Sequence, residues 1–277
     1  MRRRPDVVTA NAWEALRRVT PARIALGRAG VSLPTEAQLA FQLAHAQARD
    51  AVHQALDVAD LATRLQPLVP GAQQVIQVHS AAADRLTYLQ RPDLGRQLSD
   101  ASRAALAAGA NDERRVDIAL VIGDGLSALA VDRHAAPFLA ELMARIASEN
   151  WSMAPLVIAS QARVAIADEI GELLGARLVV ILIGERPGLS SPDSMGLYLT
   201  WMPRRGLTDA SRNCISNVRP QGLAYADAAY RLHYLMAQAR LRGLSGVALK
   251  DESTGQAKAE LAPAGNFLTG PDPEDAR

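Results

Sequence analysis

Hydrophobic and polar positions follow two regimes along this chain. Beyond about residue 100, short apolar runs recur at Asp117–Ile122, Pro155–Ala159 and Leu178–Ile183. A continuous apolar run of this length marks a strand buried on both faces. Between the runs lie the helix candidates Pro137–Ala147 and Ile166–Leu174. Strand, loop and helix in repetition predict parallel strands joined by right-handed crossovers. A late strand is predicted at Cys214–Val218, followed by a helix over Tyr225–Arg242 with one apolar stripe through Ala228, Leu232, Leu235 and Ala239.

The first third reads as helical. Thr35 and Gln38 have the spacing of a capping box after Pro34, opening a helix that carries Leu39, Leu43 and Val52. Asp60–Leu68 is a second, shorter helix, ended by Pro70-Gly71. Thr20–Thr35, with its glycines, prolines and arginines, is a loop. From Lys250 the chain is polar and rich in Gly and Pro, the composition of a disordered tail.

Composition narrows the classes. The chain has 277 residues, 49% of them hydrophobic, enough for a sizeable core. A net charge of +1 gives no field for nucleic acid or an anionic membrane. With the single cysteine Cys214, no intramolecular disulfide can form. No apolar stretch reaches the roughly 18 residues of a membrane span, and the basic N-terminus has no signal core, so a cytosolic protein is expected.

The richest stretch for chemistry is Val179–Ser194, in which a buried run stops at Gly184-Glu185-Arg186-Pro187-Gly188. Open α/β sheets bind ligands at the carboxyl ends of their strands, and this loop leaves such an end. Gly123–Ala128 fits the dinucleotide fingerprint, which makes a nicotinamide-dependent oxidoreductase the alternative reading. Two features oppose it. Asp124 puts a carboxylate where a pyrophosphate would lie, and the next strand ends in Ser160-Gln161 instead of an acid for the ribose. Asp132-Arg133-His134-Ala135-Ala136-Pro137 nearly matches the D-x-H-x-x-G motif that supplies a lower cobalt ligand in many cobalamin enzymes. Pro137 replaces its glycine, so the segment reads as a helix start capped by Asp132. The histidines lack zinc-ligand spacing, so no protein-built metal site is expected.

Taken together, TPARIALGRAG, LTYLQRPDLGRQL, VIGDGLSA, ARVAIADEIGELLGA, VVILIGERPGLSSPDSMGLYLTW and RNCISNVRPQGLAYADAA resemble the small subunits (light chains) of ethanolamine ammonia-lyases, in the family's order from Thr20 to Gly246. The resemblance implies an α/β fold: a helical N-terminal region over residues 1–100, a Rossmann-like parallel-sheet domain over 101–249, and the tail over 250–277. It implies adenosylcobalamin held at the interface with a large catalytic subunit, a barrel that binds ethanolamine, within a hetero-oligomer. The reaction is radical deamination of ethanolamine to acetaldehyde and ammonia. The cofactor keeps its own dimethylbenzimidazole on cobalt, in keeping with the failed histidine motif.

Three cofactor contacts carry over by motif: Val164 before the helix that leads to the third strand, Glu185 of GERPG, and Cys214 of CISN. A corrin is a broad apolar disc rimmed by amides, so it takes flat apolar contacts and a few placed acceptors. Gly184 and Gly188 would let the backbone approach it. For Glu185 a salt bridge to Arg186 or Arg204 is the competing role, and for Cys214 plain core packing. Some relatives carry a longer N-terminal extension linked to microcompartment targeting. The short lead before Thr20 favours a free cytoplasmic enzyme, with encapsulation as the alternative.

Overall fold

The central strands are apolar beyond their first residues because helices cover both of their faces. A computed structural model describes residues 7–69, 75–109 and 115–253. Six strands form one sheet in the order β1-β3-β2-β4-β5-β6. They are β1 (Ile76–His79), β2 (Val116–Gly123), β3 (Val157–Ser160), β4 (Ala176–Gly184), β5 (Met195–Trp201) and β6 (Arg212–Val218). The helices are α1 (Thr35–His53), α2 (Val58–Leu65), α3 (Arg85–Gln90), α4 (Asp100–Gly109), α5 (Ala128–Ile146), α6 (Ile166–Leu173) and α7 (Tyr225–Arg242).

Side chains alternate across a strand, and the two cores divide accordingly. Ile118, Leu120 and Ile122 of β2 join Leu178, Val180 and Leu182 of β4 in a core closed by α2, α5 and α7. Ala119, Val121, Val179, Ile181 and Ile183 face the other way, into a smaller core closed by α4 and α6. α5 follows β2 and α6 follows β3, so the two crossovers leave opposite faces of the sheet.

The sheet is mixed, which corrects the expectation of parallel strands throughout. β1, β3, β2 and β4 run parallel, whereas β5 is antiparallel to β4 and β6 to β5. A parallel return needs a crossover of about a dozen residues or more, usually helical. The Glu185–Ser194 connection carries no helix, so the chain reverses. The sheet also takes its edge strand β1, paired with β3, from before residue 101.

Helix starts differ from expectation at two places. Thr35 is already inside α1: Pro34 precedes the helix and no side chain caps it. The buried residues of α1 are Ala44, Ala48 and Ala51, while Leu39 and Leu43 are exposed. α5 begins at Ala128, capped by Ser127, whose hydroxyl accepts the Ala130 N–H at 3.3 Å. Asp132 therefore lies within α5 and accepts from Arg64 of α2 instead of capping. Pro137 sits in the helix interior, where it removes one backbone hydrogen bond. The predicted tail lies outside the described residues beyond Ser253.

The edge strand β6 is fastened to α6 by a buried ion pair. Arg212 donates to Asp168, and both side chains are 3% exposed. Arg212 also reaches Asp209 at 2.8 Å. Removing one partner of such a pair leaves a buried charge unanswered. Asp168→Ala is expected to lower the unfolding free energy by about 3 kcal/mol in a urea titration followed by circular dichroism. Unchanged stability would show that Asp209 alone satisfies Arg212.

Candidate functional site

Three loops leave the carboxyl edge of the sheet side by side, after β2, β3 and β4. The loop after β2 is committed to internal bonds. The Asp124 carboxylate accepts the Gln161 and Ala162 N–H groups, each at 2.9 Å, and lies 3.8 Å from Arg85 Nη1. Gln161 adopts φ 53°, which aims its N–H at Asp124. The Leu126 N–H donates to the Gly184 carbonyl at 2.9 Å. Asp124 thus fills the crevice between the ends of β2 and β3, from which crossovers depart to opposite faces. A dinucleotide pyrophosphate binds in such a crevice. This fingerprint is a tight turn, and the nicotinamide alternative has no support.

The loop after β4 surrounds Glu185. The Ser194 hydroxyl donates to its carboxylate, as do the Ser216 hydroxyl at 2.5 Å and the Asn217 N–H at 3.2 Å. Two of these donors come from a β-bulge. Leu197 pairs with Ile215 and Met195 with Val218, so β6 carries an extra residue between them. Asn217 takes φ 61° there, in the left-handed region that Asn tolerates best after Gly. Glu185 is therefore held by hydroxyls and an amide, and among the described residues it forms no ion pair with Arg186 or Arg204. Oε2 accepts two of the three bonds and Oε1 one. A carboxylate offers about four acceptor positions, so Oε1 retains one for an outside donor.

Gly184 is required by the protein itself. A Cβ there would stand 2.0 Å from the Ser127 carbonyl oxygen, and one at Gly188 2.7 Å from Ser191 Oγ. The Ser127 backbone accounts for Gly184, whereas only a rotatable hydroxyl stands beside Gly188.

Val164 and Glu185 line one open groove of about 430 Å³, together with Tyr88, Arg163, Arg186 and Tyr198. Val164 is half-buried beside the first turn of α6. Cys214 does not line the groove but pairs across strands with Tyr198, which does. Cys214 is exposed on the outer face of β6, so core packing is not its role. Partial desolvation beside Tyr198, with the Glu185 carboxylate adding to it, raises its thiol pKa. A neutral thiol is a polarizable contact surface and not a nucleophile. Val164, Glu185 and Cys214 thus lie along one continuous strip, with Tyr198 joining them. Sequence reasoning missed Tyr198, although the alternation of Leu197, Tyr198 and Leu199 carries a strand signal.

A latch holds the far end of the same loop. Asp193 is approached by Arg133 Nη1 at 3.1 Å, His134 Nε2 at 3.4 Å and Arg219 Nη1 at 3.7 Å. His134 Nδ1 is paired with the Tyr225 hydroxyl at 2.8 Å. Burial raises the Asp193 pKa, but Arg133 and His134 outweigh it and hold the carboxyl below its ordinary range. Burial is also the main cause that lowers the His134 pKa. His134 is thus an internal strut, which accounts for its place in the incomplete cobalt-ligand motif.

Residues 10–250 match the family model described as ethanolamine ammonia-lyase light chain. A protein of Ralstonia nicotianae named ethanolamine ammonia-lyase small subunit is 61% identical over 268 residues, 95% of this chain and 96% of its own. One of the same name from Pseudomonas paraeruginosa is 59% identical over 266 residues, with 95% and 96% covered. Another, from Pseudomonas fluorescens, is 58% identical over 262 residues, with 93% and 94% covered.

The latch sets a pH window. With its folded pKa depressed, Asp193 contributes stability above the unfolded carboxylate pKa of about 3.9 and loses it as the pH falls through the folded value. Asp193→Asn is expected to speed amide hydrogen exchange in 185–194 at neutral pH by roughly tenfold, leaving the β2 and β4 amides protected. Equal exchange in both proteins would show that the loop does not depend on the latch.

Proposed function

The chain belongs to the ethanolamine ammonia-lyase light-chain family, and on that footing we propose that its Val164–Glu185–Cys214 strip is one wall of an adenosylcobalamin site completed by the large subunit. The chain is the small subunit of a lyase and works within a hetero-oligomer. The large subunit holds ethanolamine, and the products are acetaldehyde and ammonia. When bound, the cofactor supplies the radical that starts this deamination.

The observation that carries the cofactor reading is the prearranged Glu185 carboxylate. Its three protein donors fix its orientation, and the remaining acceptor position on Oε1 suits an amide N–H from a corrin rim. Val164 and Tyr198 add flat, partly apolar surface in the same groove, and Cys214 extends it. The groove is open and far smaller than a corrin, so a second protein surface must cover the opposite face. This chain's part is to bind, orient and exclude water.

The large subunit has further surface to meet. Exposed large apolar side chains concentrate before residue 45, among them Trp13, Val31, Leu33, Leu39, Phe41 and Leu43. Surface of that kind marks an interaction site. No helix among the described residues is long and apolar enough to cross a membrane. We place the assembly in the cytoplasm.

Two measurements test the reading. The chain co-purified with its large subunit and loaded with hydroxocobalamin should keep a corrin spectrum after desalting; a colourless complex would refute the cofactor role. Glu185→Gln in that complex should weaken cobalamin binding by about 1–3 kcal/mol, since one acceptor of a charged hydrogen bond is lost. Unchanged affinity would mean that Glu185 only braces its loop.

A further inference from the structure

The groove beside Glu185 holds more positive charge than its surroundings answer. Arg163 and Arg186 line it from opposite sides, one from the loop after β3 and the other from the loop after β4. The Arg163 guanidinium carbon lies 4.3 Å from the Tyr88 ring centroid, and Nη2 reaches the Tyr88 carbonyl at only 3.4 Å. Its Nε is buried with no hydrogen-bond partner. Among the described residues, no carboxylate pairs with Arg163 or Arg186, and Arg186 is exposed without a hydrogen bond.

Asp124 and Glu185, the acids of the adjoining loops, pair with neither guanidinium. Asp124 is committed to two amides and to Arg85, which also stands over Tyr88, at 4.7 Å. Glu185 is oriented by the neutral donors Ser194, Ser216 and Asn217, keeps its charge, and forms no ion pair with either arginine. Two guanidinium groups therefore line the groove against the single negative charge of Glu185, and neither is paired with it. A guanidinium is a fixed fork of donors that suits phosphate oxygens. Cobalamin is rimmed by neutral amides and carries one anionic group, the phosphodiester of its nucleotide tail.

Resting on the cofactor reading above, we infer that Arg163 and Arg186 form a subsite for that phosphodiester. Tyr88 holds the Arg163 fork in place from behind, with Arg85 on the same ring. Arg186, exposed on the loop after β4, supplies the second guanidinium. The subsite would select complete cobalamins over corrinoids that lack the nucleotide tail.

The test uses the complex with the large subunit and measures the affinity of two corrinoids by visible spectroscopy: hydroxocobalamin, and cobinamide, which lacks the phosphate, ribose and base. Arg163→Gln and Arg186→Gln are each expected to weaken cobalamin about tenfold and to leave cobinamide within about twofold. Arg163→Lys, which keeps the charge but loses the fork, should fall between. The dependence of cobalamin affinity on salt should also become shallower in both Gln variants, a readout that holds even where cobinamide binds too weakly to measure. Equal weakening of both corrinoids, or an unchanged cobalamin affinity and salt slope, would overturn the subsite while leaving the cofactor site standing. A wild-type complex that retains no corrinoid would overturn the cofactor reading itself.

Discussion

Because the segment after β4 is too short to carry a crossover helix, β5 must return antiparallel to β4, and the rest of the site follows from that reversal. The reversal lays Glu185–Ser194 over the carboxyl edge of the sheet instead of sending it to one face. It also brings β6 alongside β5, where a bulge turns Ser216 and Asn217 toward Glu185. The carboxylate is then fixed by residues from two separate stretches of chain, the end of its own loop and β6. A site built in this way is preorganised, since none of its donors has to move when a ligand arrives.

Two anchors keep that loop in register with the parallel half of the sheet. At one end Gly184 packs against the Asp124–Ser127 turn, so closely that no side chain could be added. At the other, Asp193 is held by Arg133, His134 and Arg219, while the Ser127 hydroxyl donates to the Pro192 carbonyl at 2.8 Å. α5 contributes to both anchors through its cap Ser127 and its first turns. The helix that follows β2 therefore serves the loop that follows β4. The crevice between β2 and β3 is a structural joint, and the open groove lies beside it.

Much of the fold was legible in the sequence. β2, β3, β4 and β6 appear as apolar runs, and α6 and α7 by their periodicity, because burial on two faces or along one stripe demands a particular residue pattern. β5 was missed because its residues stand inside a motif block, where they read as loop sequence. The starts of α1 and α5 were missed for a different reason. Thr35 and Asp132 have good capping chemistry, but Pro34 and Ser127 occupy the positions where the backbone enters the helix. Of the proposed site, Val164, Glu185 and Cys214 came from motifs and Arg186 from the same charged loop, whereas Tyr198 and Arg163 enter only through the structure. Their relevance depends on lying beside those motifs in space.

The sequence by itself determined the α/β class, the buried strands and the family, since apolar patterning and long motif blocks are properties of order along the chain. It also indicated that Gly123–Ala128 is a poor dinucleotide loop, from the charge of Asp124 and from Ser160-Gln161 standing where a ribose-binding acid belongs. Only the tertiary structure decided the mixed sheet, the bulge at Asn217, the exposure of Cys214 and the partners of Glu185. Each of these turns on which groups from distant segments meet. A carboxylate beside an arginine in sequence can, as at Glu185, be held in space by two serines and a backbone amide instead.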